Sequence, residues 1–348
     1  MKIAVAMSGG VDSSVAAKLL QRDGYDIVGF TMRQFDDKRF GYDEHNGIEQ
    51  AILDAKKVCD FLGIEHHIID LTSEFDEIVI QRFVAEYNSA RTPNPCTICN
   101  PTIKWGAFLD ALIALGADKI ATGHYARIVE EDGVKYLQKG SDSAKDQTYM
   151  LWGLSQEQLS RTLFPVGDMI KTELRRLAIV SGLPVASKRD SQEICFIPGK
   201  YQDFIKNEIE IKKGEIVLPN GKVIGEHSGL PFYTIGQRKG LNTPWTDPLF
   251  VLGMDSSKNR LIVTDNPDDL LQDEFKITET NWFGKPPRNT DNLTVMIRYN
   301  SRAVKVSTIN KKGEFYKIKL ATPKKSITPG QSAVFYRGDL LVGGGVIV

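Results

Sequence analysis

The amino-acid sequence predicts an α/β domain with a parallel sheet, followed by all-β modules. Two observations predict this fold class. Up to about residue 125, short apolar runs typical of strands alternate with helical patterns, and after Gly214 short strand patterns separated by turn residues follow one another. Alternating strands and helices form parallel sheets covered by helices, whereas closely spaced strands form small barrels or sandwiches. We expect three domains, at residues 1–210, 211–275 and 276–348, the second a small β domain and the third a β-barrel.

The elements of the first domain follow from the period of its apolar residues. Ile3, Ala4 and Val5 form a continuous apolar run typical of a buried strand, and Ile52 and Val58 recur at a helical spacing. In order, the expected elements are a strand at 3–7, a helix at 11–21, a strand at 27–32, a helix at 48–62, a strand at 66–70, helices at 75–87 and 103–115, and a strand at 119–122. Because ligands of parallel sheets bind beyond the carboxyl ends of the strands, the loops at those ends are candidate sites.

The elements of the second half are strands. The turn Pro219-Asn220-Gly221 separates two apolar segments and predicts a hairpin of strands 216–218 and 223–224. Further strands are expected at 250–254, 261–264, 294–298, 304–309, 316–320, 332–336 and 342–348.

Composition excludes several classes of protein. The chain has 348 residues with 44 Lys+Arg and 44 Asp+Glu, and no apolar run approaches the roughly 20 residues that span a bilayer. No secretion signal follows the N-terminal strand, so we expect a cytoplasmic protein with no membrane partner. Residues 211–348 contain 20 Lys+Arg and 13 Asp+Glu, a net charge of +7, against −7 for residues 1–210. A basic part fits a polyanion such as nucleic acid, although on charge alone an uneven solvated surface is the simpler explanation.

The first motif is a glycine-rich run between the first strand and the first helix, Ser8-Gly9-Gly10-Val11-Asp12-Ser13-Ser14. Adjacent glycines allow the backbone to approach a ligand, and hydroxyls with a helix N-terminus favour an anion. Because the Asp12 carboxylate and a phosphate are both negative, a cation must lie between them, and we expect this cation to be magnesium. A plain capped turn is the alternative, but the complete run at the end of a strand favours a phosphate site.

The cysteines form the second motif. Cys96 and Cys99 make a Cys-x-x-Cys in a proline-interrupted loop, Cys195 lies far along the chain, and Cys59 lies on the apolar face of a helix as a core residue. In a reducing compartment, spaced thiols indicate nucleophilic, sulfur-carrying or metal-binding chemistry. A thioredoxin-like disulfide or half of a zinc site are the alternatives.

The glycine-rich run resembles the signature of the PP-loop ATP pyrophosphatases, and the chain as a whole is similar to the tRNA-specific 2-thiouridylases. The similarity extends from the first strand to the last. It includes the motifs Thr92-Pro93-Asn94-Pro95, Cys99-Asn100, Ala121-Thr122-Gly123-His124-Tyr125-Ala126-Arg127, Lys145-Asp146-Gln147, Asp190-Ser191-Gln192-Glu193-Ile194-Cys195-Phe196-Ile197, Gly236-Gln237-Arg238-Lys239-Gly240-Leu241, Arg298-Tyr299 and Thr328-Pro329-Gly330-Gln331.

The resemblance implies an activity: ATP-dependent 2-thiolation of the wobble uridine of tRNA, with release of AMP and pyrophosphate. It implies tRNA and a sulfur donor, such as a cysteine desulfurase or a sulfur-relay protein, as partners. Cys195 would carry sulfur and Cys99 would be its partner thiol. The remaining implied contacts are ATP with Ala6, Met7, Ser8, Gly9, Gly10, Val11, Asp12, Ser13, Met32 and Gly123; the target base with Asn94, Pro95 and Cys96; and tRNA with His124, Lys145, Asp146, Gln147, Arg298, Tyr299 and Gln331.

One position departs from the pattern of many relatives, which have Asp where Cys96 stands. The missing carboxylate puts its proton-transfer role in doubt, and Cys96, Cys99 and Cys195 become three thiols that could hold a 4Fe–4S cluster with one open iron. We hypothesise a cluster-bound hydrosulfide as the nucleophile, with a persulfide on Cys195 followed by a Cys99–Cys195 disulfide as a close rival. The motifs also leave open a different PP-loop ligase, such as an amide-forming synthetase, and a non-catalytic iron–sulfur RNA-binding protein.

Overall fold

A parallel sheet forms the centre of the first half of the chain. The computed structural model describes residues 1–42, 46–190, 194–288 and 290–348. The strands of the first half are β1 (Lys2–Ala6), β2 (Asp26–Arg33), β3 (His66–Asp70), β4 (Lys119–Ala121), β5 (Ala126–Glu131), β6 (Val134–Lys139) and β7 (Thr162–Leu163). Five of them form a sheet in the order β3-β2-β1-β4-β7, with parallel neighbours throughout. This confirms the predicted α/β class.

Helices connect these strands. The α-helices are α1 (Val11–Arg22), α2 (Asp37–Phe40), α3 (Ile48–Leu62), α4 (Thr72–Phe75), α5 (Gln81–Asn88), α6 (Pro95–Cys99), α7 (Phe108–Ala114), α8 (Gln156–Ser160), α9 (Lys171–Val180) and α10 (Tyr201–Glu208). Short 3₁₀ helices occupy Thr148–Leu151, Leu230–Phe232 and Pro267–Leu270. A π-helical segment, Asp76–Ile80, joins α4 to α5, and a second, Asn100–Ala107, joins α6 to α7.

The Cys-x-x-Cys motif lies on a helix and not in the expected loop. Asn94 caps α6 through a hydrogen bond from the Cys96 amide to its Oδ1 at 3.1 Å. Pro95 takes the first helical position, where its fixed φ and missing N–H cost nothing. The helix therefore starts eight residues before the predicted 103, because proline at this position begins a helix and does not interrupt it.

The strand order places a ligand crevice beside β1. From β1 the chain proceeds to β2 and β3 on one side, and β4 then pairs on the other side. The direction of strand addition therefore reverses between β1 and β4, and such switch points are where open α/β sheets bind ligands. The glycine-rich run follows β1, and Gly123 follows β4.

The second half consists of two β structures. Its strands are β8 (Gly214–Val217), β9 (Val223–His227), β10 (Phe250–Asp255), β11 (Arg260–Thr264), β12 (Leu271–Trp282), β13 (Leu293–Met296), β14 (Val304–Lys312), β15 (Phe315–Lys325), β16 (Ser332–Arg337) and β17 (Leu340–Ile347). A four-stranded sheet has the order β10-β11-β8-β9. Six strands in the order β12-β15-β14-β13-β16-β17 close into a barrel because β12 also pairs with β17.

Most of the predicted strands are confirmed, including the hairpin of β8 and β9. The sequence pattern did not indicate β12, whose apolar residues are diluted by charged ones, so the expected boundary between residues 275 and 276 falls inside a strand. The hairpin of β5 and β6 was also missed. This hairpin follows the central sheet in sequence but joins the barrel sheet, since β6 pairs with β17.

Three apolar cores support these layers. One lies between the central sheet and α1, α3 and α9, and it contains Cys59, which is fully buried as predicted. A larger core covers the other face of the sheet and continues towards the second half, and a third fills the barrel. Across the described ranges, no helix is both long enough and apolar enough to cross a membrane.

Candidate active site

Two glycines allow the loop after β1 to pack closely on its neighbours: Gly9 lies against α3, and Gly123 of the loop after β4 lies against Asp12 and Ser13. Gly9 has a φ of +66°, and a Cβ there would lie 2.3 Å from the backbone oxygen of Ala51. A Cβ on Gly123 would lie 2.6 Å from the Asp12 carbonyl carbon and the Ser13 nitrogen. Side chains at either position would push backbone segments apart. Residues 8–14, which we call the glycine loop, therefore pack directly on the loop after β4.

Hydroxyl groups fix the shape of the glycine loop. Ser13 Oγ accepts a hydrogen bond from the Ser8 amide and donates one to the Gly10 carbonyl, both at 3.2 Å. Ser14 Oγ donates to the same carbonyl at 2.8 Å. Gly10 is the N-cap of α1 and supplies no side chain to its first amides. Free amides at the start of a twelve-residue helix bind anions, so this loop can hold a phosphate chain.

Asp12 is paired with a lysine from a distant helix. Lys171 Nζ lies 2.7 Å and 2.9 Å from the two Asp12 carboxylate oxygens, and the Tyr125 hydroxyl donates to Oδ1 at 2.8 Å. Burial and the Asp12 charge raise the pKa of Tyr125, which keeps its hydroxyl a donor. The Lys171 ammonium is a positive charge beside Asp12, the residue at which the sequence predicts magnesium. A magnesium ion on Asp12 would compete with Lys171 for the carboxylate.

Asp190 connects the glycine loop to the Cys195 segment. It accepts from Lys171 and from Lys145, each at 2.8 Å, and from Arg175. Partial burial would raise its pKa, but the Lys145 and Lys171 ammonium groups outweigh that effect and lower the pKa to about 2. Lys145, predicted to contact tRNA, is thus engaged within the protein, and Asp190 lies five residues before Cys195.

The remaining predicted ATP contacts lie at the same edge of the sheet, because carboxyl ends of parallel strands share an edge. Met32 lies near the carboxyl end of β2 and is half-buried. The other predicted residues of this site end β1 or begin α1: Ala6, Met7, Ser8, Gly9, Gly10, Val11, Asp12 and Ser13.

The cysteines of the two distant motifs approach one another. Cys96 and Cys195 are exposed and Cys99 is buried, and all are free thiols. The charges of Cys99 and Cys96 each raise the pKa of Cys195, and we call these three residues the thiol cluster. Gln34, which follows β2, donates a long hydrogen bond to Cys99 Sγ at 3.9 Å.

Desolvation raises the pKa of every thiol of the cluster, which favours the neutral form. Burial raises the pKa of Cys99 to about 12. The pKa of Cys96 is raised as well, because protein surrounds this thiol at longer range although it touches solvent. Cys195 touches solvent, but protein surrounds it at longer range, and this desolvation, together with the charges of Cys99 and Cys96, raises its pKa. The Lys104 ammonium lowers the pKa of all three, without reversing the rise.

The Cys195 segment is anchored by the residues that follow it. Phe196 is buried with its ring centroid 5.6 Å from that of Phe75, 5.4 Å from that of Phe83 and 5.4 Å from that of Phe204. The Tyr42 hydroxyl donates to the Cys195 carbonyl at 2.7 Å. Residues 191–193, part of the motif used in the sequence comparison, lie outside the described residues.

Two of the predicted tRNA contacts support their own loop. Asp146 Oδ2 accepts from the Thr148 hydroxyl at 2.8 Å, and Gln147 Oε1 accepts from the Tyr125 amide at 3.1 Å. The Tyr299 hydroxyl donates to the Asp146 carbonyl at 3.4 Å. These side chains therefore brace the residue 145–147 loop and its contact with the barrel, whatever they contact in a complex.

Arg298 and Gln331 contact other parts of the chain. Arg298 donates to the Ile235 carbonyl at 2.9 Å and to the Thr328 hydroxyl. Gln331 Nε2 donates to the Thr92 carbonyl at 2.8 Å, two residues before Asn94. The barrel thus rests on the segment that leads to the Cys-x-x-Cys helix.

Cysteine thiols are the ligands that hold iron–sulfur clusters, but the three thiols are not placed to hold one. Within the ranges that the structure describes, no three His, Cys, Asp or Glu side chains are arranged to hold a metal ion. We therefore derive no step through a cluster.

Sequence reasoning missed three cations of the site. Lys171 and Lys188 reach the glycine loop from positions far along the chain, Lys188 through the Gly9 carbonyl at 3.1 Å, and no local pattern indicates either. Lys104 has a local signal. It lies four residues after Asn100 on a helical segment, and its Nζ donates to the Asn100 side chain at 3.1 Å.

The fold and site together define a class: α/β proteins that bind nucleotide phosphates at a glycine loop on the switch point of a parallel sheet. Family models match the chain in order: the tRNA methyl transferase HUP domain at residues 1–199, the tRNA methyl transferase PRC-barrel domain at 202–265 and the aminomethyltransferase beta-barrel domain at 272–347.

Curated relatives match over nearly the full length. The tRNA-specific 2-thiouridylase MnmA of Clostridium acetobutylicum is 44% identical over 353 residues, covering 99% of each chain. That of Pelobacter propionicus is 43% identical, covering 100% of this chain and 97% of its own. The chain belongs to the tRNA-specific 2-thiouridylase family. Among solved structures, the U34-tRNA thiolase NcsA from Methanococcus maripaludis is 20% identical, and the match covers 60% of this chain and 65% of the NcsA chain. The TM-score is 0.36, and we base no argument on this similarity.

Proposed function

We propose that this protein is an ATP-dependent tRNA-uridine 2-sulfurtransferase that thiolates the wobble uridine, position 34, of tRNA. One observation supports it beyond family membership: the glycine loop and the thiol cluster meet through consecutive residues. Gly123 packs on Asp12, and the adjacent His124 Nε2 lies 3.4 Å from Lys104 Nζ, whose charge acts on the thiols. A base activated by ATP at the first site would lie next to sulfur at the second.

The chemistry requires both sites. The C2 oxygen of uridine is a poor leaving group, so it first attacks the α-phosphorus of ATP and pyrophosphate leaves. A persulfide on Cys195, supplied by a sulfur-donor protein, then attacks C2 as its anion, and AMP leaves with the oxygen. The Cys99 thiolate attacks the Cys195 sulfur, which breaks the S–S bond. The terminal sulfur stays on the base as the thiocarbonyl, and the Cys99–Cys195 disulfide is reduced by an external thiol.

The phosphate and base contacts follow from this assignment. The glycine loop would bind the pyrophosphate of ATP, with the α1 amides and Lys171 facing its charge. Asn94, Pro95 and Cys96 would lie against the target base, and the residue 145–147 loop, His124, Arg298, Tyr299 and Gln331 would contact tRNA. Magnesium would accompany ATP at Asp12. The barrel would be the tRNA-contacting domain, and a reducing cytoplasm would keep the thiols available.

Mass analysis of anticodon nucleosides tests the proposal. The protein is incubated with unmodified tRNA, ATP, magnesium and a persulfide donor, with ATP omitted in a parallel reaction. We expect 2-thiouridine at position 34 and equal amounts of AMP and pyrophosphate only with ATP. ATP cleavage without thiolated tRNA would favour another adenylating ligase, and binding of tRNA with neither product would favour a non-catalytic protein.

A separate measurement tests the cluster route. Protein purified without oxygen should contain little iron and lack broad visible absorption if the persulfide route holds. About four irons per chain, together with loss of thiolation when the iron is removed, would restore the cluster-bound hydrosulfide as the nucleophile.

A further inference from the structure

The segment Gly236-Gln237-Arg238-Lys239-Gly240-Leu241 is a sequence motif that has no part in the proposed function. It lies in the small β domain, between the 3₁₀ helix Leu230–Phe232 and β10. Residues 234–240 form a turn in which the Gln237 amide donates to the Thr234 carbonyl at 2.9 Å. Arg238 and Lys239 are exposed, and we call residues 234–240 the cationic turn.

The other residues of the cationic turn fix its backbone. Gln237 Nε2 donates to the Lys239 carbonyl at 2.9 Å, and Gln237 Oε1 accepts from the Thr234 amide at 3.0 Å. The Gln237 side chain therefore crosses the turn and holds both of its ends. Gly236 and Gly240 have φ values of +86° and +82°, which glycine adopts without strain. The two cations are thus carried on a backbone that is already ordered.

The cationic turn rests on the barrel. Arg298, one of the residues proposed to contact tRNA, donates to the Ile235 carbonyl at 2.9 Å. A Cβ on Gly236 would collide with the Ser326 side chain, which follows β15. The turn is therefore adjacent to the part of the barrel that carries a proposed tRNA contact.

The cationic turn also touches the segment that leads to the Cys-x-x-Cys helix. The Thr234 and Thr92 hydroxyl oxygens are 3.2 Å apart. Thr92 lies two residues before Asn94, which caps that helix and is proposed to contact the target base. A tRNA strand whose base lies against Asn94 would therefore pass close to the cationic turn.

The charges of the cationic turn are not neutralised by the protein. Across the described ranges, no carboxylate forms an ion pair with Arg238 or Lys239. In contrast, Arg260 of the same domain pairs with Glu215 at 2.7 Å. Exposed cations without a counter-charge attract a polyanion, and binding then releases the counterions of the polyanion.

A hollow beside Arg238 favours RNA over a small anion. Its volume is about 400 Å³, and its lining includes Arg238, Thr243 and Asp247. An RNA chain offers phosphate oxygens, which accept hydrogen bonds, and 2′-hydroxyl groups, which also donate them. A lining with a cation, a hydroxyl and a carboxylate therefore fits a sugar–phosphate unit better than an inorganic phosphate.

We propose that the cationic turn binds the sugar–phosphate backbone of tRNA beside the target base, with Arg238 and Lys239 as the contacting residues. This inference rests on the proposed function, because the RNA is the substrate of that reaction. Contacts to phosphate position a strand and carry no sequence information. The turn therefore sets the place of the strand, and its fixed backbone reduces the entropy lost on binding.

The salt dependence of tRNA binding tests this inference without catalysis. Full-length wild type, Arg238→Gln, Lys239→Gln and the double variant are titrated with unmodified tRNA, without ATP, from about 50 to 200 mM salt. Each single variant should bind about threefold more weakly and lower the slope of log K against log salt by about 1. The double variant should bind about tenfold more weakly and lower the slope by about 2.

Arg260→Gln is the matched control. It removes the same charge from the same domain, but Arg260 lies at the opposite end of the β10–β11 hairpin from Val251, which hydrogen-bonds to the cationic turn. Its tRNA affinity and salt slope should equal those of wild type. The thermal unfolding of all these variants should also match wild type, because Arg238 and Lys239 are exposed.

Two further measurements separate positioning from catalysis. Gln237→Ala keeps both cations and removes the side chain that crosses the turn. It should bind tRNA about threefold more weakly with an unchanged salt slope, because the turn must then be ordered on binding. In thiolation assays, the double variant should raise the KM for tRNA about tenfold and leave kcat within about twofold of wild type.

Each outcome separates this inference from the proposed function. An unchanged salt slope in the double variant would overturn the inference, even if thiolation were lost, and so would an equal loss in Arg260→Gln. Unchanged tRNA affinity with a raised KM for the sulfur-donor protein would overturn it too, and would assign the turn to that protein. If wild type forms no 2-thiouridine while the slopes change as expected, the proposed function fails and the RNA-binding role of the turn stands.

Discussion

The glycine loop and the thiol cluster are built in opposite ways. In the glycine loop, hydroxyls, a lysine and a tyrosine satisfy the polar groups. The Asp12 carboxylate, for example, accepts hydrogen bonds from Lys171 and from Tyr125. In the thiol cluster, the sulfur atoms have few polar contacts, and desolvation raises the pKa of each thiol. The first site is preorganised for a phosphate chain before any ligand arrives, whereas the second becomes reactive only where a positive charge offsets desolvation.

The largest expected effect lies in the thiol cluster. Under the proposed function, Cys195→Ser removes the sulfur carrier, and Cys99→Ser removes the thiol that releases sulfur. Each should lower thiolation about 10³-fold or more, measured as 2-thiouridine formed per enzyme, because an alcohol forms no persulfide. ATP affinity should stay within twofold of wild type, since the glycine loop is untouched. Full activity in Cys195→Ser would show that the thiol cluster plays no part in the reaction.

In the glycine loop, Gly9→Ala tests preorganisation. The new Cβ would lie 2.3 Å from the Ala51 backbone oxygen at a φ of +66°, so we expect a loss of about 3 kcal/mol in the free energy of unfolding. Gly24→Ala is the control: its φ is +80° but nothing lies within 4 Å of the new Cβ. It should cost about 1 kcal/mol. Equal losses in urea unfolding would mean that close packing at Gly9 is unimportant.

Between the two regions, Asp190→Asn tests the ion pairs that join them. The folded pKa of about 2 lies below the ordinary 3.8. The contribution of Asp190 is therefore complete above about pH 5 and is lost as pH falls through 2. We expect Asp190→Asn to lower the free energy of unfolding by about 2 kcal/mol at pH 7, and the difference from wild type to shrink to about 1 kcal/mol at pH 3.

Asp168→Asn is the control for this pH series. Asp168 forms an exposed pair with Arg127 at 3.5 Å, and such pairs contribute about 0–1 kcal/mol. Its effect on urea unfolding should be small at every pH. A loss in Asp190→Asn that does not change between pH 5 and pH 3 would argue that packing, and not charge, holds this segment.

The smallest effect is expected for the fourth thiol. Cys59→Ala removes a buried sulfur from the core beside α3, and the resulting cavity should cost about 1 kcal/mol in urea unfolding. Thiolation should be unchanged, because Cys59 lies apart from the thiol cluster. A loss of thiolation comparable to that of Cys195→Ser would remove the distinction between core and reactive cysteines.

Local sequence patterns predict much of the fold and part of the site. The period of apolar residues predicts α3 at its observed bounds, since this helix buries one regular face. The strand β3 also has the predicted bounds, although none of its residues is fully buried. The adjacent glycines predict the glycine loop, because few other residues permit its backbone. The sequence did not predict the strand β12, because its many charged residues obscure the apolar pattern. It did not predict the helix start at Pro95 either, because the proline was interpreted as part of a loop.

By itself, the sequence determined the alternation of strands and helices in the first half of the chain and the glycine loop, and it singled out the cysteines as candidate carriers of sulfur, since these features depend on neighbours along the chain. Only the tertiary structure decided that Lys171 meets Asp12 across 159 positions, that the β5–β6 hairpin joins the barrel, and that Lys104 meets His124. Charges and thiols act through space, and the distances that set their pKa values exist only when the chain is folded.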